Sequence, residues 1–405
     1  KIMLKILLFQ QYYFPEMTGG ARRAKELSEQ FVKDGHSVTV FTSFPRDFRS
    51  MPGFEVKNYE ILNKVNIIRK NTIFNVGKNT IFRMFSYLMY VVNSFYFLIK
   101  KKNEYDMVIS MAPLPSAIAP ALANKYFNLY HHFDVPDILP DLGISAGMIK
   151  NKFLINFLYK IEKWVYDNSN SISPITRGQI DNIVKKGVSS DKLSYIPDWI
   201  DDTFFKQNLL KYKNDVSTKL AYPDQKLISF VGNIGALQNP EVFLHVMKLL
   251  SEKGYNNYKF LFIGDGIMLP FLKEKSTELK LNNVEFIGRV KREYVPAFMN
   301  LSDILVANYL PNKYMDICIP GKLFEYAISN KPILMGARGE AKDLIQKYNL
   351  GLTVPPSDIK AFKDAIIRIL DSSYDFNPKT NEFVDDFSLT KVIKYYNHIF
   401  EGVSN

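Results

Sequence analysis

The residues best suited to chemistry lie in one stretch, 319–328, which reads IPGKLFEYAI. Its proline and glycine end the preceding segment, and the apolar spacing beyond them predicts a helix that begins at this point. Lys322 then falls in the first helical turn, where its charge opposes the positive end of the helix dipole. That placement is unfavourable unless an anion lies there too, and free N–H groups, dipole and ammonium together indicate a phosphate site.

Glu325 follows about one helical turn after Lys322. A carboxylate at that distance can accept two hydrogen bonds from vicinal hydroxyls such as those of a ribose. Together the two residues indicate a nucleotide site. The alternative is an ordinary amphipathic helix with two exposed charges, because short motifs match by chance. Evidence from the rest of the chain is needed to distinguish a nucleotide site from an ordinary amphipathic helix.

Composition predicts a globular protein of two domains in a reducing compartment. The chain has 405 residues, 47% hydrophobic and 23% charged, and its one cysteine, Cys318, excludes a disulfide framework. The apolar stretch 1–9 meets Gln10 too early for a signal peptide or a membrane span, so it is predicted to be a buried strand. The formal charge of +11 is compatible with nucleic acid, an anionic membrane or a polyanionic small molecule as partner.

The first half of the chain alternates strands with helices. Strands are predicted at 5–9, 37–41, 107–110 and 129–133, and helices at 21–34 and 116–125. This alternation predicts a parallel sheet covered on both faces, with ligands at the carboxyl ends of its strands. Gly19 and Gly20 would let the backbone approach a ligand there, and Asp134 and Asp137 follow a strand directly. A plain turn explains the glycines equally well, and helix capping explains either aspartate.

The alternation begins afresh beyond about residue 200, which places a domain boundary there. Strands are predicted at 227–232, 259–266, 284–288, 304–307, 332–335 and 352–354, and a last amphipathic helix at 389–400. Glycines recur just past strand ends, which indicates backbone close to a nucleotide. The chain contains no strict G-x-G-x-x-G fingerprint and no Walker lysine loop, which disfavours dehydrogenases and NTPases.

Residues 61–103 form a basic and aromatic segment that contains no Asp or Glu. Its basic residues are Lys64, Arg69, Lys70, Lys78, Arg83, Lys100, Lys101 and Lys102. The uncharged run 84–99 within it is short for a membrane span and includes Ser86 and Asn93. A helix at a membrane interface, with lysines facing anionic lipid, fits this pattern. The alternative is a core helix with a solvated basic rim.

Two other features are predicted to be structural. The helix at 151–167 has apolar residues at helical spacing, Phe153 and Phe157 among them, and these are predicted to be core. His131 and His132 lie on a strand and point in alternating directions, so one is expected in the core. Neither histidine has a metal partner at suitable spacing.

Taken in order, the landmarks of this chain resemble the GT-B glycosyltransferases, and within them glycosyltransferase family 4. The segments that carry the resemblance are 19–20, 197–201, 230–235, 286–290 and 320–326. They span nearly the whole chain. The likeness is greatest to bacterial transferases that build O-antigen, capsule or colanic-acid repeats, including N-acetylfucosamine-type transferases.

The resemblance implies an α/β protein with the GT-B fold, in which two Rossmann-like parallel-sheet domains face each other across a deep cleft. Residues 1–198 would form the acceptor domain, with a membrane-facing segment at 61–103. Residues 199–384 would form the nucleotide-sugar donor domain. Residues 385–405 would be a C-terminal helix that returns to the first domain.

Family roles can be carried onto the matching residues of the donor domain. Glu325 would hold the ribose hydroxyls, and Lys322 with the Gly235 loop would hold the diphosphate. Ile287 and Arg289 belong to the segment that would cradle the base through its backbone.

From the first domain, Gly19 and Gly20 would approach the donor phosphates. Asp134 or Asp137 would supply the acceptor-side polar group. The leaving phosphate would be stabilised by Lys322, helix N-termini and glycine-loop N–H groups. No metal or other cofactor is expected, because GT-B enzymes are usually metal-independent and the chain contains no D-x-D tripeptide.

Three departures from the family pattern bear on donor recognition. The first glutamate of the E-x7-E motif would stand at position 317, which is Ile317, and Asp316 is its neighbour. Asn233 and Gln238 occupy places where many members have Arg and Lys. The usual Asn-Gly of the linker is Asp198-Trp199.

The predicted function is transfer, with retention, of a hexose or N-acetylamino sugar from a nucleotide-diphosphate donor of the UDP type. The expected acceptor is a lipid-linked saccharide of surface-polysaccharide synthesis, at the cytoplasmic face of an anionic bacterial membrane. One alternative is a nucleotide-sugar 2-epimerase of the same fold, which would not need the segment at 61–103. Another is a non-catalytic nucleotide-sugar or polyanion binding subunit, which Ile317 favours. Nucleic acid is not expected as a partner, because the basic residues cluster around an apolar helix.

Overall fold

Short runs rich in Val, Ile, Leu and Phe form the strands of two sheets, as the sequence predicts. The computed structural model describes residues 3–16, 18–45, 55–72, 80–220, 222, 224–371 and 373–403. The chain divides into two units, Lys1–Pro197 together with Val392–Asn405, and Asp198–Lys391. The predicted α/β class, with one mainly parallel sheet in each unit, is confirmed.

The strands of the first unit are β1 (Lys5–Phe9), β2 (Ser37–Ser43), β3 (Tyr59–Leu62), β4 (Val65–Lys70), β5 (Met107–Met111), β6 (Tyr130–Val135) and β7 (Ser171–Pro174). In the described part of the chain they form one seven-stranded sheet in the order β3-β4-β2-β1-β5-β6-β7. All neighbours pair in parallel except β3 and β4. The strands predicted from sequence are therefore present, and the carboxyl ends of six of them share one edge.

The β3-β4 hairpin was missed by the sequence analysis. Its tight turn is made by Asn63 and Lys64, whose φ angles of 49° and 66° are left-handed. Such turns are usually recognised from the sequence pair Asn-Gly, and here lysine (Lys64) stands where the glycine would be. Arg69, counted above among the basic residues of segment 61–103, lies buried in β4 and pairs with Glu60. It is therefore part of the fold and is not available to a membrane.

The helices of the first unit are α1 (Gly19–Lys33), α2 (Thr80–Lys101), α3 (Pro115–Phe127), α4 (Asp141–Ser145), α5 (Lys152–Asp167) and α6 (Arg177–Lys185). Crossovers between parallel strands are right-handed. The connection from β1 to β2 runs one way across the sheet, and those through α2, α3 and α5 run the other way. Consequently α1 covers one face, and α2, α3 and α5 cover the opposite face. α3 packs against both α2 and α5.

The helix predicted at 151–167 is confirmed as α5, but the prediction that its apolar residues are core is wrong for its N-terminal half. Phe153, Leu154 and Phe157 are exposed. Only the C-terminal half, with Val165 and Tyr166, is buried against the sheet. Helical spacing identifies an apolar stripe, but it does not reveal whether the domain is long enough to cover the whole stripe.

The strands of the second unit are β8 (Lys226–Val231), β9 (Tyr258–Ile263), β10 (Val284–Gly288), β11 (Ile304–Asn308), β12 (Ile333–Gly336) and β13 (Gly351–Val354). They form a parallel sheet in the order β10-β9-β8-β11-β12-β13. Alternate side chains of β8 enter two cores, because Leu227 and Val231 belong to one cluster and Ile228 and Phe230 to the other. The sheet is thus buried on both faces, and its carboxyl edge remains for a ligand.

The helices of this unit are α7 (Asp202–Lys219), α8 (Glu241–Glu252), α9 (Leu269–Glu278), α10 (Val295–Leu301), α11 (Gly321–Ile328), α12 (Gly339–Lys347), α13 (Ile359–Leu370) and α14 (Thr380–Phe387). The last helix, α15 (Leu389–Glu401), packs on the first unit. Its Tyr396 and Phe400 rings lie 5.3 and 5.1 Å from the ring of Phe31, centre to centre. Among the described residues, no helix has the length and apolarity that crossing a bilayer requires.

Candidate active site

The predicted helix at the centre of the site is present as α11, which begins at Gly321 directly after Pro320. Leu323, Tyr326 and Ala327 are buried on its inner face, as the spacing predicts. Lys322 is therefore the second residue of the helix, in its first turn. The helix dipole alone would disfavour a positive charge at this place.

The environment of the Lys322 ammonium group adds a second and larger cost, which is burial. Its Nζ lies 3.8 Å from the centre of the Phe230 ring, at the end of β8. Within the described part of the chain, no acceptor forms a hydrogen bond with this buried nitrogen. Burial lowers the pKa of Lys322 to about 7, and the charge of Glu325 opposes this shift. A buried cation without a hydrogen-bond acceptor is costly, and an anionic ligand would remove that cost.

Gly232 provides the space in front of Lys322. A Cβ at Gly232 would lie 3.6 Å from both Cε and Nζ of Lys322, and the glycine has a φ of 123°. A larger side chain would occupy the place where an anion could reach the ammonium group. The phosphate site predicted at Lys322 is thus lined by the end of β8, which lies 90 residues earlier in the chain.

Tyr326 holds α11 in this position, although its spacing in the sequence predicts only a core residue. The Val231 N–H donates to the Tyr326 hydroxyl at 2.8 Å, and the hydroxyl lies 2.9 Å from the Val231 carbonyl oxygen. It also lies 3.3 Å from the carbonyl oxygen of Val306 in β11. The inner face of α11 is therefore tied to the end of β8, beside Gly232, and to the middle of β11.

Glu325 is half-buried and lies three residues beyond Lys322, so the two side chains share one side of α11. Asp198, from the linker, lies at the beginning of the same helix. A Cβ at Gly321 would be 3.3 Å from Asp198 Oδ2. A carboxylate at a helix N-terminus is favourable. In the sequence, Asp198 stands out only as a departure from a family pattern.

Glycines past the strand ends have different roles in the structure. A Cβ at Gly264 would meet the Gly232 carbonyl oxygen at 1.9 Å, and a Cβ at Gly266 would meet the Ile234 oxygen at 2.3 Å. The two loops are also joined by a hydrogen bond of 2.9 Å from Ile234 N to Asp265 O. Gly264 and Gly266 therefore allow one loop to pack on another, which is by itself a sufficient reason for glycine at these two positions.

The Gly235 loop contains the two polar residues that replace Arg and Lys of the family pattern. A Cβ at Gly235 would meet Gln238 Oε1 at 2.6 Å and Asn233 Nδ2 at 2.8 Å. Gln238 Oε1 is buried, and no described residue donates a hydrogen bond to it. The loop thus presents neutral amides, and Lys322 is the nearby positive charge.

Ile287 and Arg289 lie at the end of β10, on the edge strand of the second sheet. The pairing of β10 with β9 shifts between Phe286 and Gly288, so that Ile287 lies in an irregularity of the strand and is half-buried. Arg289 is exposed. Gly288 has a φ of 78°, and no atom of the described residues lies within 4 Å of the position that a Cβ would take. The backbone at Gly288 is therefore open to a ligand.

Asp316 and Ile317 belong to a short 3-10 turn, Met315–Ile317, before α11. The carbonyl oxygen of Asp316 fills the space in front of Gly339, at 1.9 Å from the position of a Cβ. Gly339 has a φ of 54°, so glycine is favoured there for two reasons. This contact fixes the turn that carries Asp316 and Ile317.

In the first unit, the two glycines at the start of α1 differ. Among the described residues, no atom lies within 4 Å of a Cβ at Gly19, whereas a Cβ at Gly20 would lie 2.9 Å from Gln10 Nε2. The hydroxyl oxygen of Thr18 accepts a hydrogen bond from Ala21 N at 3.3 Å and so caps the helix. A side chain at Gly20 would crowd the buried Gln10 amide, whereas Gly19 leaves open space among the described residues.

The structure separates the two candidate aspartates. Asp134 is buried in β6, and its carboxylate binds Arg23 through Nε at 2.8 Å and Nη2 at 3.0 Å. Ser173 Oγ donates a third hydrogen bond at 3.0 Å. Asp137, in the loop beyond β6, is exposed. Of the two, Asp137 is the carboxylate that a substrate can reach without unpairing a buried ion pair.

His131 and His132 are both buried, although only one was expected in the core. Burial lowers their pKa values to about 3 and about 4 respectively, so both rings are neutral. His131 Nε2 is 2.7 Å from Ser110 Oγ, and His132 Nε2 is 2.9 Å from Ser173 Oγ. Within the described ranges, no group of three or more His, Cys, Asp or Glu side chains could hold a metal ion.

Comparisons with known proteins match both halves of the chain. A family model described as "Glycosyltransferase Family 4" matches residues 17–204, and one described as "Glycosyl transferases group 1" matches residues 213–384. The putative colanic acid biosynthesis glycosyl transferase WcaI of Escherichia coli K12 is 24% identical over 390 residues, which is 91% of this chain and 92% of the relative.

Two further proteins are informative. An alpha-1,4-N-acetyl-D-galactosaminyltransferase of Campylobacter jejuni, named for a saccharide on PP-undecaprenol, is 28% identical over 42% of this chain and 45% of its own. The crystal structure of HepE from Anabaena in complex with UDP and glucose has a TM-score of 0.72 at 13% identity. That likeness covers 99% of this chain and 100% of the HepE chain.

Proposed function

The chain belongs to family 4 of the GT-B glycosyltransferases, and from this premise we propose that it transfers a hexose or an N-acetylamino sugar, with retention, from a UDP-type donor. The observation that carries the proposal is the amino group of Lys322, buried beside Gly232 with no described hydrogen-bond acceptor. An anion is the partner that this group lacks. A nucleotide diphosphate supplies two phosphates, and we assign Glu325, on the same side of α11, to the ribose hydroxyls.

The proposed chemistry follows from where charge develops. Breaking the anomeric C–O bond leaves negative charge on the departing phosphate, so a preorganised positive group at that point lowers the barrier. Lys322 provides it, since the hydrogen bonds between Tyr326 and Val231 hold α11 against β8. Without a ligand the lysine is partly neutral at pH 7, and the bound diphosphate would favour its charged form.

We further propose that the acceptor is a lipid-linked saccharide of surface-polysaccharide synthesis, reached at the cytoplasmic face of a bacterial membrane. The C. jejuni relative is named for an acceptor on PP-undecaprenol. On the acceptor side, Asp137 is exposed beyond the end of β6, and the backbone at Gly19 is open. We assign Asp137 to the acceptor and Asp134 to holding Arg23.

The surface of α2 supports a membrane location. Its exposed side chains recur every three or four residues and are apolar or aromatic: Phe82, Met84, Phe85, Leu88, Met89, Val92, Tyr96 and Ile99. The opposite side, with Tyr90 and Leu98, is buried. Lys100 and Lys101 follow at the exposed end of the helix. Lys78 and the side chain of Arg83 lie outside the described residues. An exposed apolar stripe with lysines beside it is typical of a helix that lies in the surface of an anionic membrane.

A nucleotide panel tests the donor assignment. Thermal unfolding of the purified protein would be measured with UDP, GDP, CDP and ADP, followed by nucleotide release from the corresponding sugars. We expect UDP to stabilise the parent, by about 2.7 kcal/mol at a hundred times its dissociation constant. Lys322→Met should lose this stabilisation and most donor hydrolysis.

Lys331→Met is the matched control, because Lys331 is another half-buried lysine of the second unit whose pKa is lowered by burial. It should keep both the UDP response and turnover. If no nucleotide of the panel stabilises the parent, or if Lys322→Met hydrolyses donor at the parental rate, the proposed donor site is wrong.

A further inference from the structure

The N-terminal half of α5 is a second apolar surface, distinct from that of α2. Phe153 has 87% of its surface exposed and Phe157 has 59%. Met148, in the preceding loop, and Leu154 are exposed as well. Phe153 and Phe157 are four residues apart, so they lie on one side of the helix. Large apolar groups clustered at this exposure mark an interaction site rather than a solvated surface.

The charges around this surface indicate the chemistry of its partner. Residues 146–161 contain Lys150, Lys152 and Lys160 and no Asp or Glu. Lys150, Lys152 and Lys160 are themselves exposed. Aromatic side chains interleaved with lysines, without a single acid, match an anionic lipid surface, where each lysine adds attraction. This composition repeats that of segment 61–103 in an unrelated part of the chain.

The position of α5 relates it to α2. Both helices lie on the same face of the first sheet, with α3 packed between them. Both begin at the carboxyl edge of the sheet, because each runs back from the end of one parallel strand to the start of another. Helix axes in contact are about 8–10 Å apart, which places α2 and α5 about 20 Å from each other.

We propose that the N-terminal half of α5 inserts into an anionic bilayer and that α2 and α5 form a two-helix membrane contact. The proposal rests on the proposed function only in taking the acceptor to be membrane-bound. Two helices in contact with the bilayer fix the orientation of the first unit relative to the membrane. A single helix would leave the unit free to rotate about the helix axis. The fixed edge is the carboxyl edge, where Asp137 and Gly19 lie.

The test is binding to vesicles of phosphatidylcholine with about a third phosphatidylglycerol, measured by co-sedimentation. Phe153→Ser combined with Phe157→Ser should weaken binding by about tenfold or more, because each phenyl group removed from lipid costs transfer free energy. Leu210→Ser is the matched control. Leu210 is 85% exposed on α7 in the second unit, but it is the only large apolar side chain exposed among the described residues of that helix, so it forms no apolar cluster. It should bind vesicles like the parent.

A tryptophan probe gives a second measurement that does not depend on loss of binding. The emission of Phe153→Trp should shift to shorter wavelength when these vesicles are added, and that of Leu210→Trp should not. Neutral phosphatidylcholine vesicles alone should produce a weaker shift, since the lysines then contribute nothing. Circular dichroism and the melting temperature should match those of the parent, because these side chains are exposed.

The outcomes separate this proposal from the others. If the double serine variant binds anionic vesicles like the parent, and the emission of Phe153→Trp does not move, α5 is not a membrane element. If the double variant instead changes the oligomeric state, with vesicle binding kept, the surface is an interface between two copies of the chain, and the proposal is also overturned. Donor hydrolysis without vesicles should equal that of the parent. Loss of the donor site would leave the vesicle result unaffected, so the two proposals fail separately.

Discussion

The ammonium nitrogen of Lys322 lies 3.8 Å from the centre of the Phe230 ring, in a buried position beside Gly232. A cation over an aromatic face is attracted by the ring, typically by about 0.5–2 kcal/mol. This attraction is smaller than the cost of removing an ammonium group from water without hydrogen-bond acceptors. The contact with Phe230 therefore offsets only part of the cost of burying Lys322, and a bound anion would offset the rest.

The stability of the unliganded protein should increase when Lys322 is replaced by Met. The pKa of about 7 in the folded protein lies below the ordinary 10.5, so the folded state binds fewer protons than the unfolded chain between these values. The cost of Lys322 is complete below pH 7 and disappears as the pH rises toward 10.5. The difference in free energy of unfolding between variant and parent, measured in urea, should be largest at pH 6.5 and shrink by pH 9.5. A variant less stable than the parent at pH 6.5 would show that Lys322 supports the fold.

Binding of UDP at about pH 8.5 should take up a proton. At this pH most Lys322 side chains are neutral in the unliganded protein, and a diphosphate beside the nitrogen would raise its pKa. Calorimetry in buffers of different ionisation enthalpy measures the proton uptake, which should approach one per UDP. Uptake should persist for Lys331→Met and should be absent from whatever UDP binding Lys322→Met retains at high UDP concentration. Equal uptake in the parent and in Lys322→Met would place the titrating group elsewhere.

Glu325→Gln should weaken UDP binding while the fold is kept. The glutamine amide has one oxygen that accepts hydrogen bonds, whereas the carboxylate has two and can accept one from each ribose hydroxyl. We therefore expect UDP binding to lose free energy on the order of 1–3 kcal/mol. Comparing UDP with 2′-deoxy-UDP isolates the contact. The parent should bind the deoxy nucleotide more weakly than UDP, whereas the Gln variant should discriminate much less. If the variant discriminates as strongly as the parent, Glu325 does not hold the ribose.

Replacing Asp134 should lower the stability of the fold, whereas replacing Asp137 should lower sugar transfer and leave stability unchanged. Asp134→Ala removes the partner of the buried Arg23, and such a loss costs about 3–5 kcal/mol of stability. Replacing both members, as in Arg23→Met with Asp134→Leu, should recover part of that loss. Asp137→Asn should leave the melting temperature unchanged, because Asp137 is exposed, but should lower sugar transfer to a lipid-linked acceptor.

Donor hydrolysis by water distinguishes a donor defect from an acceptor defect in these variants. Asp137→Asn should reduce transfer more than hydrolysis. If Asp137→Asn transfers sugar normally, and a well-folded Asp134→Asn does not, the assignment of the two aspartates is reversed.

The sequence by itself determined the elements and the position of the site along the chain. Strands such as β1 and β8 and the start of α11 follow from apolar runs, helical spacing and a Pro-Gly break, which act over a few residues. For the same reason Lys322 was correctly placed in a first helical turn. The hairpin of β3 and β4 was missed because Lys64 occupies the turn position where a glycine would have indicated it.

Tertiary structure decided how buried each site residue is, since burial depends on neighbours that are distant in sequence. The Lys322 nitrogen is buried beside Phe230 and Gly232, and Asp134 is neutralised by Arg23, 111 residues away. No local pattern carries this information. The exposure of Phe153 has the same origin, because a helical stripe looks identical whether or not the sheet reaches it. Spacing fixes which side chains share a face, and packing between distant segments fixes whether that face meets core, ligand or solvent.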